Sequence, residues 1–518
     1  MTPISSPPDR PIGSASACSL PPASDSASQG NTAPFRYATL CQAADAMRND
    51  EVDAVTLVAS CEAAFRADNA RLNAIVVSDF SAAYAAARAR DQERRAGQLR
   101  GPLHGIPFTI KESFDVSGWP TTMGDPAHSD NVASVHADVV KRLHHAGAVL
   151  LGKTNVPIYL RDWQTYNDVY GTTRNPRDPS RTPGGSSGGS AAAVCSGMSF
   201  FDVGSDVGSS IRNPAHFCGI FSHKSTHGIV SLKGHGLGGG MAVPDINVAG
   251  PLARSARDLE LVLNAIAGPA GEAASAIRLA LPVCEQTDLR AFRIGVLANH
   301  PLAEVDGAVE HCIVELGKQL EKAGAAVVWD ARPALDAAQL LRTYILLLRA
   351  STSHYLDDGA FAAALTASDT VAADDPRYAG LQYVGTALRH REWLSLQTLR
   401  ETFCEAWREL FADIDVLLCP VAATAAFPLD ETGAPWQRTL NVNGQAQPMT
   451  TQLFWAGHSG LCGLPSTVVP AGTTASGLPI GVQIVAPLYH DLRSLRVAAL
   501  LEEAGYAFVP PAPHIALA

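Results

Sequence analysis

The chain has 518 residues, 47% hydrophobic and 17% charged, which excludes a disordered protein and allows a large core. Its formal net charge of −11, with no long basic block, argues against nucleic acid and anionic membrane as partners. No uninterrupted apolar run reaches the roughly 18–20 residues a bilayer span needs, and ten scattered cysteines with no CxxC pair fit a reducing, cytoplasmic compartment.

Residues 1–35 are rich in Pro, Ser and Ala, with one arginine (Arg10) and no apolar centre. They read as a disordered tail rather than a secretory signal. Residues 36–510 are expected to form one domain. Positions 37–97 read as helices, with 82–95 dense in helix formers, until Gly101-Pro102 breaks the pattern. Alternation after Pro107 predicts a strand over 106–111, ending at Lys111. Ser134 is placed to cap a helix running to His145, and 148–151 reads as a buried strand. Residues 171–189 are loop, 190–198 helix and 200–203 strand. The stretch 231–250 is glycine-rich and irregular. Positions 305–325 and 335–410 read as helical, 414–419, 467–469 and 480–485 as strands, and 492–503 as a closing helix. Helices alternating with strands predict an α/β fold.

Three short segments carry the chemistry. Lys111 closes an apolar strand, where burial favours the neutral amine, the form that can act as a base. The other reading is a stem on the core with the ammonium reaching water, paired with Glu112 or Asp115. The run Gly184-Gly185-Ser186-Ser187-Gly188-Gly189-Ser190 permits backbone conformations closed to larger residues, as a linker, a loop or an anion-binding turn. An Ala-rich helix follows at once, which argues against a linker. The run contains Gly-x-Ser-x-Gly, but the polar, proline-broken 175–182 lacks the strand that a nucleophile elbow needs. No Gly-Lys-Ser/Thr closes it, so it is not a Walker loop. Third, 203–212 reads as a strand leading into a tight turn with Ser210 on its far side. Successive amides in such a turn can converge as an oxyanion hole; the plain alternative is a β-turn with a capping serine. Arg212 would either clamp substrate or pin the turn to Asp206 or Asp202. His216, Cys218, His223 and His227 lie close in sequence but match no standard zinc spacing.

The window from Gly101 to Gly228 resembles the amidase signature family. Further motifs fit along 36–505, among them His104-Gly105-Ile106-Pro107, Leu151-Gly152-Lys153-Thr154-Asn155, Tyr170-Gly171-Thr172-Thr173-Arg174-Asn175-Pro176 and Gly477-Leu478-Pro479-Ile480-Gly481. The resemblance implies a large mixed twisted sheet covered by helices on both faces. It implies Lys111 as base, Ser186 as a bridging serine on a cis peptide, and Ser210 as nucleophile. Val207, Gly208, Ser209 and Ser210 would supply oxyanion-hole amides. Met123, Gly124, Tyr166 and Asn167 would contact substrate, and a helical region at about 285–410 would shape the pocket. Trp163, Phe454 and Trp455 are either pocket or core residues. No cofactor or metal is implied. The expected partner is a small-molecule amide, and a homodimer is allowed. Two departures stand out: Ser209 replaces the family's usual glycine, and Ser222-His223-Lys224-Ser225-Thr226 replaces Gly-Leu-Lys-Pro-Thr.

The expected reaction is amide hydrolysis through a serine acyl-enzyme. The rivals are a glutaminase subunit of a tRNA-dependent amidotransferase, an esterase or carbamate hydrolase, and a non-catalytic amidase-like binding protein.

Overall fold

The computed structural model describes residues 35–239, 245–372 and 374–512. The expected tail lies outside these, apart from Phe35. The core is an eleven-stranded sheet built from β1 (Ile75–Ser78), β2 (Pro107–Lys111), β3 (Val149–Thr154), β4 (Phe201–Asp206), β5 (Phe221–Lys224), β6 (Val248–Ala253), β7 (Arg293–Val296), β8 (Ala326–Trp329), β9 (Val416–Pro420), β12 (Ser466–Thr473) and β13 (Pro479–Val485). A separate ribbon pairs β10 (Thr439–Val442) with β11 (Gln445–Pro448). The sheet order is β1-β3-β2-β4-β6-β5-β12-β13-β9-β7-β8. Its middle is antiparallel and its flanks contain parallel pairs, so the sheet is mixed, as expected. Helices flank it, and no helix among the described residues is long and apolar enough to cross a membrane.

One parallel pair matters most for chemistry. β2 pairs with β4 through Phe108–Phe201, Thr109–Asp202 and Ile110–Val203. Parallel pairing puts both C-terminal ends on one edge, where open α/β sheets form their sites. Lys111 ends β2, and β4 runs at Asp206 into the turn that carries Ser210.

Several elements differ from the sequence reading. Ser134 caps nothing: the helix begins at Asp138 after Ala137, and the Ser134 carbonyl accepts from Ser117 Oγ. The region from 285 is not helical throughout. Arg293–Val296, helix Gly307–Lys322 and Ala326–Trp329 form a parallel β-α-β unit at the sheet edge, because two short apolar runs find a partner in β9 and in each other. The helical part is Ala337–Thr352, Asp358–Ser368, Tyr378–Thr386 and His390–Asp413.

Candidate active site

Lys111 is fully buried at the end of β2. Its Nζ donates to Ser186 Oγ at 2.7 Å, to Ser205 Oγ at 3.0 Å and to the Ser205 carbonyl at 3.3 Å. Burial lowers its ammonium to about 7, against the opposing carboxylates of Asp206 and Asp202. Asp202 is itself raised to about 7 by burial, which weakens that opposition.

The glycine-serine run is neither linker nor phosphate cradle. The peptide bond Gly185–Ser186 is cis. A Cβ on Gly185 would come within 2.4 Å of the Asp162 carbonyl, and one on Gly189 within 2.3 Å of the Asn155 amide. Close backbone approach therefore dictates these glycines. Asn213 holds the segment from both sides, accepting from Gly185 N–H at 3.1 Å and donating to its carbonyl at 2.6 Å.

The turn after β4 has its carbonyls pinned by hydrogen bonds. Val207 O accepts from Tyr344 Oη at 2.7 Å, Gly208 O from Trp163 Nε1 at 2.7 Å and Ser209 O from Asn213 Nδ2 at 2.9 Å. In a trans peptide the carbonyl and the next N–H point in opposite directions. Fixing the carbonyls of 207 and 209 thus aims the N–H groups of Gly208 and Ser210 the other way. Among the described residues neither N–H has an acceptor, nor does that of Val207. Ser209 is the exception and corrects the expectation of four donors: its N–H donates to Asp206 Oδ1 at 2.9 Å and is not available to a substrate oxyanion. Ser209 sits at φ +73°, with its hydroxyl buried and unbonded.

Arg212 is not part of the wall of the cavity that Ser186 and Ser210 share. It is fully buried, and its Nε and Nη2 each reach Asp206 at 3.0 Å. It also donates to Ser459 Oγ, Gln483 Oε1 and the Ala456 carbonyl. Burial alone would raise the Asp206 carboxyl, yet Arg212 holds it below the usual carboxylate range.

Ser186 and Ser210 line one cavity of about 440 Å³, within the range of small-molecule sites. Trp163 and Tyr166 line it too, with Val207 and Gly208. Met123, Gly124 and Asn167, expected as substrate contacts, are not part of its wall. Met123 is buried with its N–H on Glu112 Oε2 at 3.0 Å. Gly124 N–H donates to Thr122 Oγ1, and the Asn167 amide is used by Asn155 and Val156. Phe454 and Trp455 are core residues. Sequence reasoning missed Ser205, and also His235, whose Nε2 lies 2.9 Å from Ser205 Oγ and 3.1 Å from Ser113 Oγ. No motif marks His235, which reaches the site from the glycine-rich loop. The grouped His216, Cys218 and His223 serve structure: His216 contacts Thr424 and Gly481, Cys218 contacts Pro183 and His223 contacts Asp491.

A buried lysine on a serine, beside a turn with N–H groups free of a protein acceptor among the described residues, is equipment that acyl-transfer chemistry can use. The Amidase family model matches residues 56–495, and the chain belongs to that family. A glutamyl-tRNA(Gln) amidotransferase subunit from Chloroflexus aggregans is 32% identical over 485 residues, 89% of this chain and 95% of that protein. Its namesake from Ralstonia nicotianae is 33% identical over 489 residues, 88% and 95% respectively. Among solved structures, a peptide amidase bound to the competitive inhibitor chymostatin is 25% identical, with a TM-score of 0.73 over 93% of this chain and 100% of that one. A bacterial aryl acylamidase of the amidase signature family shares the fold, with a TM-score of 0.78 at 24% identity over 93% and 100% of the two chains.

Proposed function

We propose that the protein hydrolyses the C–N bond of a small carboxamide through an acyl-enzyme on Ser210, releasing a carboxylate and ammonia or an amine. Neutral Lys111 draws a proton from Ser186 as Ser186 takes one from Ser210. Ser210 Oγ attacks the carbonyl carbon, and the N–H groups of Gly208 and Ser210, with Val207, receive the oxyanion. The proton returns by the same relay to the leaving nitrogen as the C–N bond breaks. Water then attacks the acyl ester, giving its proton to the relay, and Ser210 leaves with one. The observation that carries this reading is the 2.7 Å contact between a buried Lys111, whose ammonium burial lowers to about 7, and Ser186, whose side chain shares a cavity with Ser210. The nine described cysteines are all free thiols, which fits work in a reducing compartment.

A fluorophosphonate probe should label wild-type protein and not Ser210→Ala, and ammonia release from a panel of primary amides should vanish with the label. A folded protein that hydrolyses amides equally well after Ser210→Ala overturns the scheme. The names of the curated relatives favour a second reading, a glutaminase subunit working with partner chains. Glutamine hydrolysis together with co-purification of a second protein would select it; turnover of simple amides by the isolated chain selects the first.

A further inference from the structure

The cavity that holds Ser186 and Ser210 also carries two cations without a countercharge. Arg161 and Arg349 both line it. Among the described residues neither has an ion-pair partner: the groups that act on them electrostatically are tyrosines and, for Arg349, Arg161 itself. Arg161 Nη2 donates to the Thr352 carbonyl at 2.8 Å, and Arg349 lies over the Tyr378 ring at 5.1 Å. The Nε of each is buried without an acceptor. The one acid among the described lining residues is Asp162, and Arg438 already neutralises it at 2.7 Å. Burial, and then the charge of Arg161, lower Arg349 to about 9, so it remains protonated at neutral pH.

Unpaired charge in an apolar cavity is unfavourable, and two guanidinium groups in mutual reach repel. An anion between them removes both penalties, and the planar guanidinium fork matches a carboxylate. The placement relative to the chemistry is set by the fold. Arg349 lies five residues beyond Tyr344 on helix Ala337–Thr352, a rise of about 7.5 Å from the residue that pins the Val207 carbonyl. Arg161 lies two residues before Trp163, which pins the Gly208 carbonyl. The two elements that fix the nucleophile's turn therefore also carry the two cations.

Resting on the amidase reading above, we propose that the substrate is an amide bearing a carboxylate several bonds from the scissile carbonyl, and that Arg161 and Arg349 bind this carboxylate. Both residues act on substrate choice rather than on the reacting atoms.

The test separates binding from turnover. Calorimetric binding to the Ser210→Ala protein would compare ω-carbamoyl carboxylates, from succinamate to suberamate, with straight-chain neutral amides of equal length. For at least one length the acid should bind tenfold or more tightly than its neutral partner. Arg349→Gln and Arg161→Gln should each pull that ratio towards one, and Arg349→Lys should restore part of it, which a merely structural role would not do. Acids that bind no better than their neutral partners overturn the proposal. So does a preference that survives both substitutions, or inorganic phosphate binding as tightly as the best acid, which would mark a general anion site. The wild-type enzyme is then assayed on the same acids. Selective binding without ammonia release would sink the amidase reading and leave the carboxylate site standing.

Discussion

Tyr344 Oη donates to the Val207 carbonyl at 2.7 Å, which joins helix Ala337–Thr352 to the turn that ends in Ser210. That bond fixes the peptide unit whose other face is the Gly208 N–H. Tyr344→Phe leaves the ring packed but releases the carbonyl. Complete loss of one oxyanion donor costs about 10²–10³-fold in turnover. A donor that is loosened rather than removed should lower kcat roughly tenfold to a hundredfold, with KM little changed. Steady-state kinetics on a hydrolysed amide checks this. Wild-type kcat in a folded Tyr344→Phe enzyme would show that the Tyr344 bond is not what holds the Gly208 amide in place.

In the proposed scheme the base, Lys111, sets the pH dependence. Lys111 must be neutral to accept a proton, and burial has brought it to about 7. Below that value the neutral fraction falls about tenfold for each unit the pH drops, so kcat/KM should fall about tenfold per unit on the acid side and level off above pH 8. Lys111→Ala should lose about 10²–10⁴-fold in rate, and the residual activity should lack this limb. A limb that persists unchanged in Lys111→Ala would assign the titration to another group.

The segments that meet at the cavity were readable in the sequence. Lys111, Ser186 and Ser210 each lie in or beside a local pattern, an apolar strand, a glycine-serine run and a strand-to-turn transition, that alone also allows a plain structural reading; the order and spacing of motifs in the family resemblance gave them their expected roles. The residues that hold them in place carry no such pattern. Tyr344 and Trp163 act across 137 and 45 positions, through contacts that only the folded chain creates. Strand β6 was hidden for a different reason. Gly250 and Pro251 at its centre read as breakers. A Cβ at Gly250 would lie 2.0 Å from the His223 carbonyl, so packing against β5 requires the glycine that obscures the strand. Met123, Gly124 and Asn167 failed as pocket residues because their polar groups are consumed inside the protein.

Ser209 offers a stability test apart from catalysis. It holds φ +73°, which costs a non-glycine residue roughly 1–2 kcal/mol, and its buried hydroxyl has no partner. Glycine removes both penalties but adds about 0.5–1 kcal/mol of chain entropy to lose on folding. The balance predicts that Ser209→Gly stabilises the protein by about 1 kcal/mol, read as a higher midpoint in denaturant. A lower midpoint would mean that the side chain packs better than its missing hydrogen bond suggests.

Asp206 and Arg212 form a buried pair that also orders the turn, since Asp206 accepts from the N–H groups of Ser209 at 2.9 Å and Ile211 at 3.0 Å. Removing one charge strands the other. Asp206→Asn should therefore destabilise the fold by about 3–5 kcal/mol. Arg212→Met leaves the carboxylate with its amide donors, so it should cost less than Asp206→Asn. In the double variant neither charge is stranded, and it should be more stable than Asp206→Asn alone. A double-mutant cycle in urea measures the coupling; strict additivity of the two losses would show that the pair is held by its separate neighbours and not by each other.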